Sequence, residues 1–115
     1  MNIKMRYRYQ NKGVTENYIY AAVADAILND IKINGCFYKG FPDIRLEDKG
    51  SEFYVTLMNN GVTTDPLIIS EKEAFSYAKT FHNQKPVPHE LFIKVQGLLV
   101  DMEMKTATDR ADKTN

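Results

Sequence analysis

Residues 44–58 read Ile-Arg-Leu-Glu-Asp-Lys-Gly-Ser-Glu-Phe-Tyr-Val-Thr-Leu-Met. Phe53, Val55 and Leu57 alternate with Glu52, Tyr54 and Thr56, the period-two pattern of a strand with one buried and one wet face. Ile44 to Asp48 has the length and composition to pair with it, and Lys49-Gly50 between them predicts a hairpin turn. A hairpin at the centre of the chain makes the sheet antiparallel.

Working outward, Asn59-Asn60-Gly61 predicts a second turn, and the short, fully apolar run Leu67-Ile68-Ile69 predicts a buried strand. Ser70-Glu71-Lys72-Glu73 is a capping box, with the Ser70 hydroxyl accepting from the amide of residue 73 and Glu73 reaching back to the Ser70 amide. It opens a helix to about His82 with Ala74, Tyr77, Ala78 and Phe81 on one face. Residues 83–87 form a connector. Pro88 suits the first turn of a last helix whose stripe is Leu91, Val95, Leu98 and Met102, flanked by Phe92 and Leu99. Beyond Met104 there is no large apolar residue, so the domain is expected to span 1–104 and to be followed by a flexible tail over 105–115.

On the N-terminal side, a helix is predicted from Thr15 or its neighbour to about Lys32. Ile19, Ala22, Val23, Ala26 and Ile27 form its inner stripe, widened by Tyr20, Ala24, Leu28 and Ile31, and Asn34-Gly35 stops it. This helix is expected against one face of the sheet. Residues 3–9 alternate Ile3, Met5, Tyr7 and Tyr9 with Lys4, Arg6 and Arg8, a strand pattern. Residues 36–41, Cys-Phe-Tyr-Lys-Gly-Phe, read as a short strand or an ordered loop. The expected fold is a single α+β domain of order β-α-β-β-β-α-α, with three helices and an antiparallel sheet of about four strands.

The chain has 115 residues, 15 basic and 15 acidic, for a net charge of zero. The composition is that of a globular domain and excludes collagenous, low-complexity and disordered classes. One cysteine excludes an intrachain disulfide and a multi-cysteine zinc site. The charge is uneven: Lys4, Arg6, Arg8 and Lys12 give the first twelve residues a local +4 and leave −4 on the rest. Such asymmetry marks an interaction surface, or an edge strand protected from aggregation. No leader or membrane-length apolar segment is read, so a cytoplasmic setting and no membrane partner are expected.

Catalytic motifs are weak. Pro42-Asp43 with Glu47-Asp48-Lys49 has the pieces of a metal-dependent PD-(D/E)xK nuclease in the wrong spacing. On one strand, Asp43 and Glu47 lie about 13 Å apart, too far to share one divalent ion. Cys36 with His82 or His89 has the residue types of a thiol nucleophile and its base, but sequence does not bring them together. Cys36 among aromatics reads as a small hydrophobe, and His82 as a helix C-terminal partner of the dipole. The two histidines match no ligand spacing on a helix. Gly35 to Gly40 has the gap of a phosphate loop, but Phe41-Pro42 replaces its Lys-Ser/Thr. Ser51, Ser70 and Ser76 read as turn, cap and helix residues. Neither metal nor cofactor is expected.

Binding signals are stronger. Lys4, Arg6 and Arg8 would project in a row with about 6.6–6.8 Å between successive side chains, and Phe37, Tyr38 and Phe41 form a glycine-flanked aromatic segment of the kind found at binding hot spots. The sequence therefore predicts a small non-enzymatic binding protein, a protein–protein regulator or inhibitor that contacts its partner through these six residues. Blocking a nucleic-acid-handling enzyme is one concrete form, and small anti-defence proteins of phages and mobile elements share this size and scarcity of motifs. The second reading is an accessory protein that binds nucleic acid weakly through the basic strand, with strong salt dependence. The third is an enzyme of unrecognised class using Cys36 or Asp43, Glu47 and Asp48. The open face or edge of an antiparallel sheet also offers a two-fold homodimer contact.

Overall fold

A computed structural model describes residues 16–34 and 42–113. The elements are α1 (Glu16–Asn34), β1 (Asp43–Asp48), β2 (Glu52–Asn59), β3 (Val62–Thr63), β4 (Leu67–Ser70), α2 (Glu71–His82) and α3 (His89–Lys113). From the first helix onward this is the expected α+β order, with β3 as one extra, two-residue strand. The strand expected at 3–9 and the aromatic stretch 36–41 lie outside the described residues.

The β1–β2 hairpin forms in the register Ile44↔Leu57, Leu46↔Val55 and Asp48↔Phe53. Its turn closes with the Lys49 amide donating to the Glu52 carbonyl at 2.8 Å. Gly50 has φ 100°, and the buried Asp48 carboxylate accepts from the Gly50 amide at 2.9 Å. Glycine is favoured here because a side chain is strained at that angle. At the other end of β2, Asn60 (φ 52°) and Gly61 (φ 81°) make the two-residue loop to β3. Two consecutive positive φ angles are the requirement of a type I′ hairpin turn, which Asn-Gly meets best.

The third rank of the sheet is one bulged strand. β3 pairs with β2 as Met58↔Thr63, whereas β4 pairs as Val55↔Leu67 and Phe53↔Ile69, a register shifted by one residue. Thr64 continues the first register: its amide donates to the Leu57 carbonyl at 2.9 Å and its buried hydroxyl accepts from the Leu57 amide at 3.0 Å. The extra residue falls at Asp65-Pro66. Proline has no amide to offer a ladder, so a bulge suits it. The Asp65 amide turns out of the sheet and donates to Asp101 Oδ2 on α3 at 2.9 Å.

Among the described residues, the helices cover one face of this sheet. Phe53, Val55 and Leu57 are fully buried beneath the helices, each apolar side chain contributing about 1.5–3 kcal/mol relative to exposure. β4 departs from expectation here. Ile69 is buried but Ile68 is 45% exposed and Leu67 half-buried. Ile68 sits opposite Tyr54 on the outer face, and period-two alternation turns it outward despite the unbroken apolar run.

Helix α2 starts at the expected box: Glu73 N donates to Ser70 Oγ at 3.2 Å, and the Ser70 amide donates to Glu73 Oε1 at 3.4 Å. Its first amide, of Glu71, donates to the Ser51 carbonyl and so ties the helix start to the β1–β2 turn. α2 and α3 lie against the sheet, and α1, expected on the sheet itself, instead makes its main contacts with both of these helices. The expected stripe of α1 is buried, but Leu28, expected to widen it, is 41% exposed. The α3 stripe Leu91, Val95, Leu98, Leu99 and Met102 is buried as its spacing predicts.

Pro88 lies one residue before α3, its carbonyl accepting from the Leu91 and Phe92 amides. The helical backbone runs on to Lys113, past the end expected at Met104. Lys105 gives one physical reason, since its ammonium pairs with Asp65 at 2.8 Å and Asp101 at 3.3 Å and ties this turn to the bulge. No helix among the described residues is long and apolar enough to cross a membrane.

Candidate functional site

Six residues carried the sequence-based expectation of a binding surface: Lys4, Arg6, Arg8, Phe37, Tyr38 and Phe41. All six, and Cys36, lie outside the described residues. The carboxylates of the nuclease-like stretch are described, and the strand splits them. Asp43 and Glu47 point to the wet side of β1, whereas Asp48 points inward and holds the turn. Glu47 pairs with Lys49 at 3.3 Å, and the Lys49 ammonium lies 5.7 Å from the Tyr54 ring centroid. Among the described residues no group of three His, Cys, Asp or Glu side chains is placed to hold a metal ion.

His82 and His89 are separated by the connector. His89 starts α3 and is exposed, whereas His82 ends α2 and is half-buried. The His82 ring stands nearly perpendicular to Tyr18 of α1, with centroids 4.5 Å apart and planes at 80°. Phe81 approaches Tyr18 from the same helix end at 6.5 Å. Edge-to-face contact is the favoured aromatic geometry, because a positive ring edge meets a negative face. The His82 Nδ1 atom is buried and has no hydrogen-bond partner among the described residues. A buried polar atom left without a partner is uncommon in a folded protein and is destabilising.

These rings form one wall of an open cleft of about 560 Å³ between α1 and the α2–α3 connector. The connector folds back to make the other wall. Asn83 caps α2, its amide donating to Lys79 O. Gln84 takes φ 59°, a left-handed conformation unusual for a side-chain-bearing residue. The Gln84 and Lys85 amides then donate back to Phe81 O and Thr80 O at 2.9 and 3.0 Å. Pro86 follows and lines the cleft, and Asp25 and Lys85 bring one charge of each sign to it.

The expected reading of His82 as a dipole partner at the helix end accounts for its position, not for its ring contact. Tyr18 belongs to neither set of apolar residues that the helical spacing picks out in α1, and Phe81 was legible only as part of the apolar face of α2. The signal in the sequence was the connector itself, Asn83-Gln84-Lys85-Pro86-Val87-Pro88. Two prolines in six residues hold the chain extended beside whatever the helix end presents.

A second polar cluster joins α2 to α3. Tyr77 donates its hydroxyl to Glu73 Oε2 at 3.1 Å, and Lys94 Nζ meets the same oxygen. The Lys94 ammonium is the largest influence holding Glu73 below its ordinary value. Burial, with the adjacent Glu73 charge behind it, pushes the Tyr77 hydroxyl up to about 12. Every polar group in this cluster is satisfied by another, which marks it as a clamp between helices. Compared with protein-family models, curated proteins and solved structures, the chain gives no match.

Proposed function

We propose that this protein works by binding a protein partner, as a regulator or inhibitor, and that the cleft beside Tyr18 and His82 receives a side chain of that partner. The observation that carries the reading is an open cleft walled by Tyr18, Phe81 and His82 with Asp25 and Lys85 beside them. A free small ligand is held where roughly 70–90% of its surface is buried. An open cleft covers one side of its occupant. A side chain anchored on a larger surface has its remaining area covered by its own protein, so this shape favours a macromolecular partner. Aromatic rings dominate protein-binding hot spots. One charge of each sign orients the arriving group more than it adds affinity. The cleft adds Tyr18, Phe81 and His82 to the contacts expected at Lys4, Arg6, Arg8, Phe37, Tyr38 and Phe41.

The test is capture from lysate of the source cells, with and without nuclease treatment, with wild type and Tyr18→Ala immobilised side by side. One discrete protein retained by wild type and lost from Tyr18→Ala supports the reading. Equal capture by both, or capture only while nucleic acid is intact, refutes it.

A further inference from the structure

Helix α3 carries two apolar stripes. The first is buried in the core. The second, Ile93, Val100 and Met104, is 55%, 53% and 65% exposed. Gly97 and Ala107 complete it at spacings of four, three, four and three residues, and both are exposed. At 100° per residue the second stripe lies half a turn from the first. An amphipathic helix has charged residues on its outer face; one that is apolar on both sides has a further surface to cover.

Gly97 sharpens this. It sits in the interior of a 25-residue helix, where glycine is the least favourable residue after proline. Among the described residues, a Cβ added there would meet nothing within 4 Å. No packing among the described residues calls for a glycine at 97, whereas close approach of a second helix does.

We propose that this face pairs with the same face of a second copy of the chain, as an antiparallel two-fold helix pair. In heptad terms Gly97 and Met104 take a positions, and Ile93, Val100 and Ala107 take d positions. A two-fold axis between Leu98 and Leu99 sets Ile93 against Met104 of the second copy and Val100 against its Gly97. Val100 of each copy then fills the space above Gly97 of the other, and Ile93 packs on Met104 outside it, twice over by symmetry.

Charge selects the direction. Lys94 and Asp101 flank the stripe on one side, at successive e positions. Antiparallel pairing brings like flanks together, so Lys94 of each copy faces Asp101 of the other. Parallel pairing would instead set Glu90 against Glu90 at an a position. Both flanking groups are already anchored, Lys94 by Glu73 and Asp101 by the Asp65 amide and Lys105, so little side-chain freedom is lost when copies meet. The inference is independent of the cleft, which lies between α1 and the connector.

Sedimentation equilibrium of the full chain tests it. Wild type is expected to approach twice 13.2 kDa as concentration rises. Val100→Asp, and separately Met104→Lys, should remain at 13.2 kDa with an unchanged circular-dichroism melt, since both sites are exposed. A wild type that stays at 13.2 kDa across the concentration range overturns the proposal. So does a dimer that survives both substitutions.

Discussion

The Tyr18 ring meets His82 edge to face at 4.5 Å and, with Phe81 beside it, joins the first helix to the end of the second, next to a His82 Nδ1 that is buried and unpartnered among the described residues. A double-mutant cycle built from Tyr18→Leu and His82→Ala should return a coupling of about 0.5–1.5 kcal/mol, the range for aromatic pairs. Denaturant melts of the four proteins measure it. A coupling of zero would mean that the rings are neighbours without mutual stabilisation.

Glu73 gives the domain an acid-sensitive joint. Its carboxylate is held below the ordinary value of 4.5 first by the Lys94 hydrogen bond, with help from Tyr77 and the Ser70 amide and against the effect of burial. The folded state therefore holds the charged form more firmly than the unfolded chain does. This stabilisation is complete above about pH 4.5 and is lost as pH falls through the lower folded value. Melting temperature followed from pH 6 downward should drop less steeply in Glu73→Gln than in wild type. Because Glu73 is partly exposed, the difference should be modest and should shrink with added salt.

Tyr77 makes the opposite prediction at high pH. Its hydroxyl is raised from 10.0 to about 12, so the fold favours the neutral form. The associated stability is intact below pH 10 and is lost as pH rises through about 12. An ultraviolet titration of phenolate formation should show one component near pH 12 that disappears in Tyr77→Phe.

Thr64 is the hydroxyl on which the bulged strand depends. Thr64→Val keeps the shape but leaves the Leu57 amide without the acceptor it has at 3.0 Å. Stranding a buried donor costs about 1–3 kcal/mol. Urea melts should show that loss with an unchanged slope. By contrast, Ile68→Ala on the outer face should stay within about 0.5 kcal/mol of wild type, whereas Leu57→Ala in the core should cost about 2–5 kcal/mol.

How far these features were legible depended on the range of the interaction behind them. The hairpin at Lys49-Gly50, the Asn60-Gly61 turn and the Ser70–Glu73 box are local: a backbone angle or a capping bond fixes the residue type within a few positions. The stripes of α1, α2 and α3 follow from helical period alone. The exposure of Ile68 was hidden because three apolar residues in a row mask the alternation that the pleat imposes. The run of α3 to Lys113 was hidden because Lys105 finds its partner forty residues earlier, at Asp65. The cleft was the least legible feature. Tyr18 and His82 lie on different helices, and only the packing of α1 against α2 brings their rings together. The basic and aromatic residues singled out at Lys4, Arg6, Arg8, Phe37, Tyr38 and Phe41 stay with the partner-binding proposal.

The central claim is that a protein partner docks on the Tyr18–His82 cleft. Isothermal titration of the captured partner into wild type and Tyr18→Ala tests it most directly, with circular dichroism confirming that both remain folded. Hot-spot truncations cost about 2 kcal/mol or more, so affinity for Tyr18→Ala should fall by roughly thirtyfold. An affinity within about twofold of wild type would show that the partner binds elsewhere and would contradict the account.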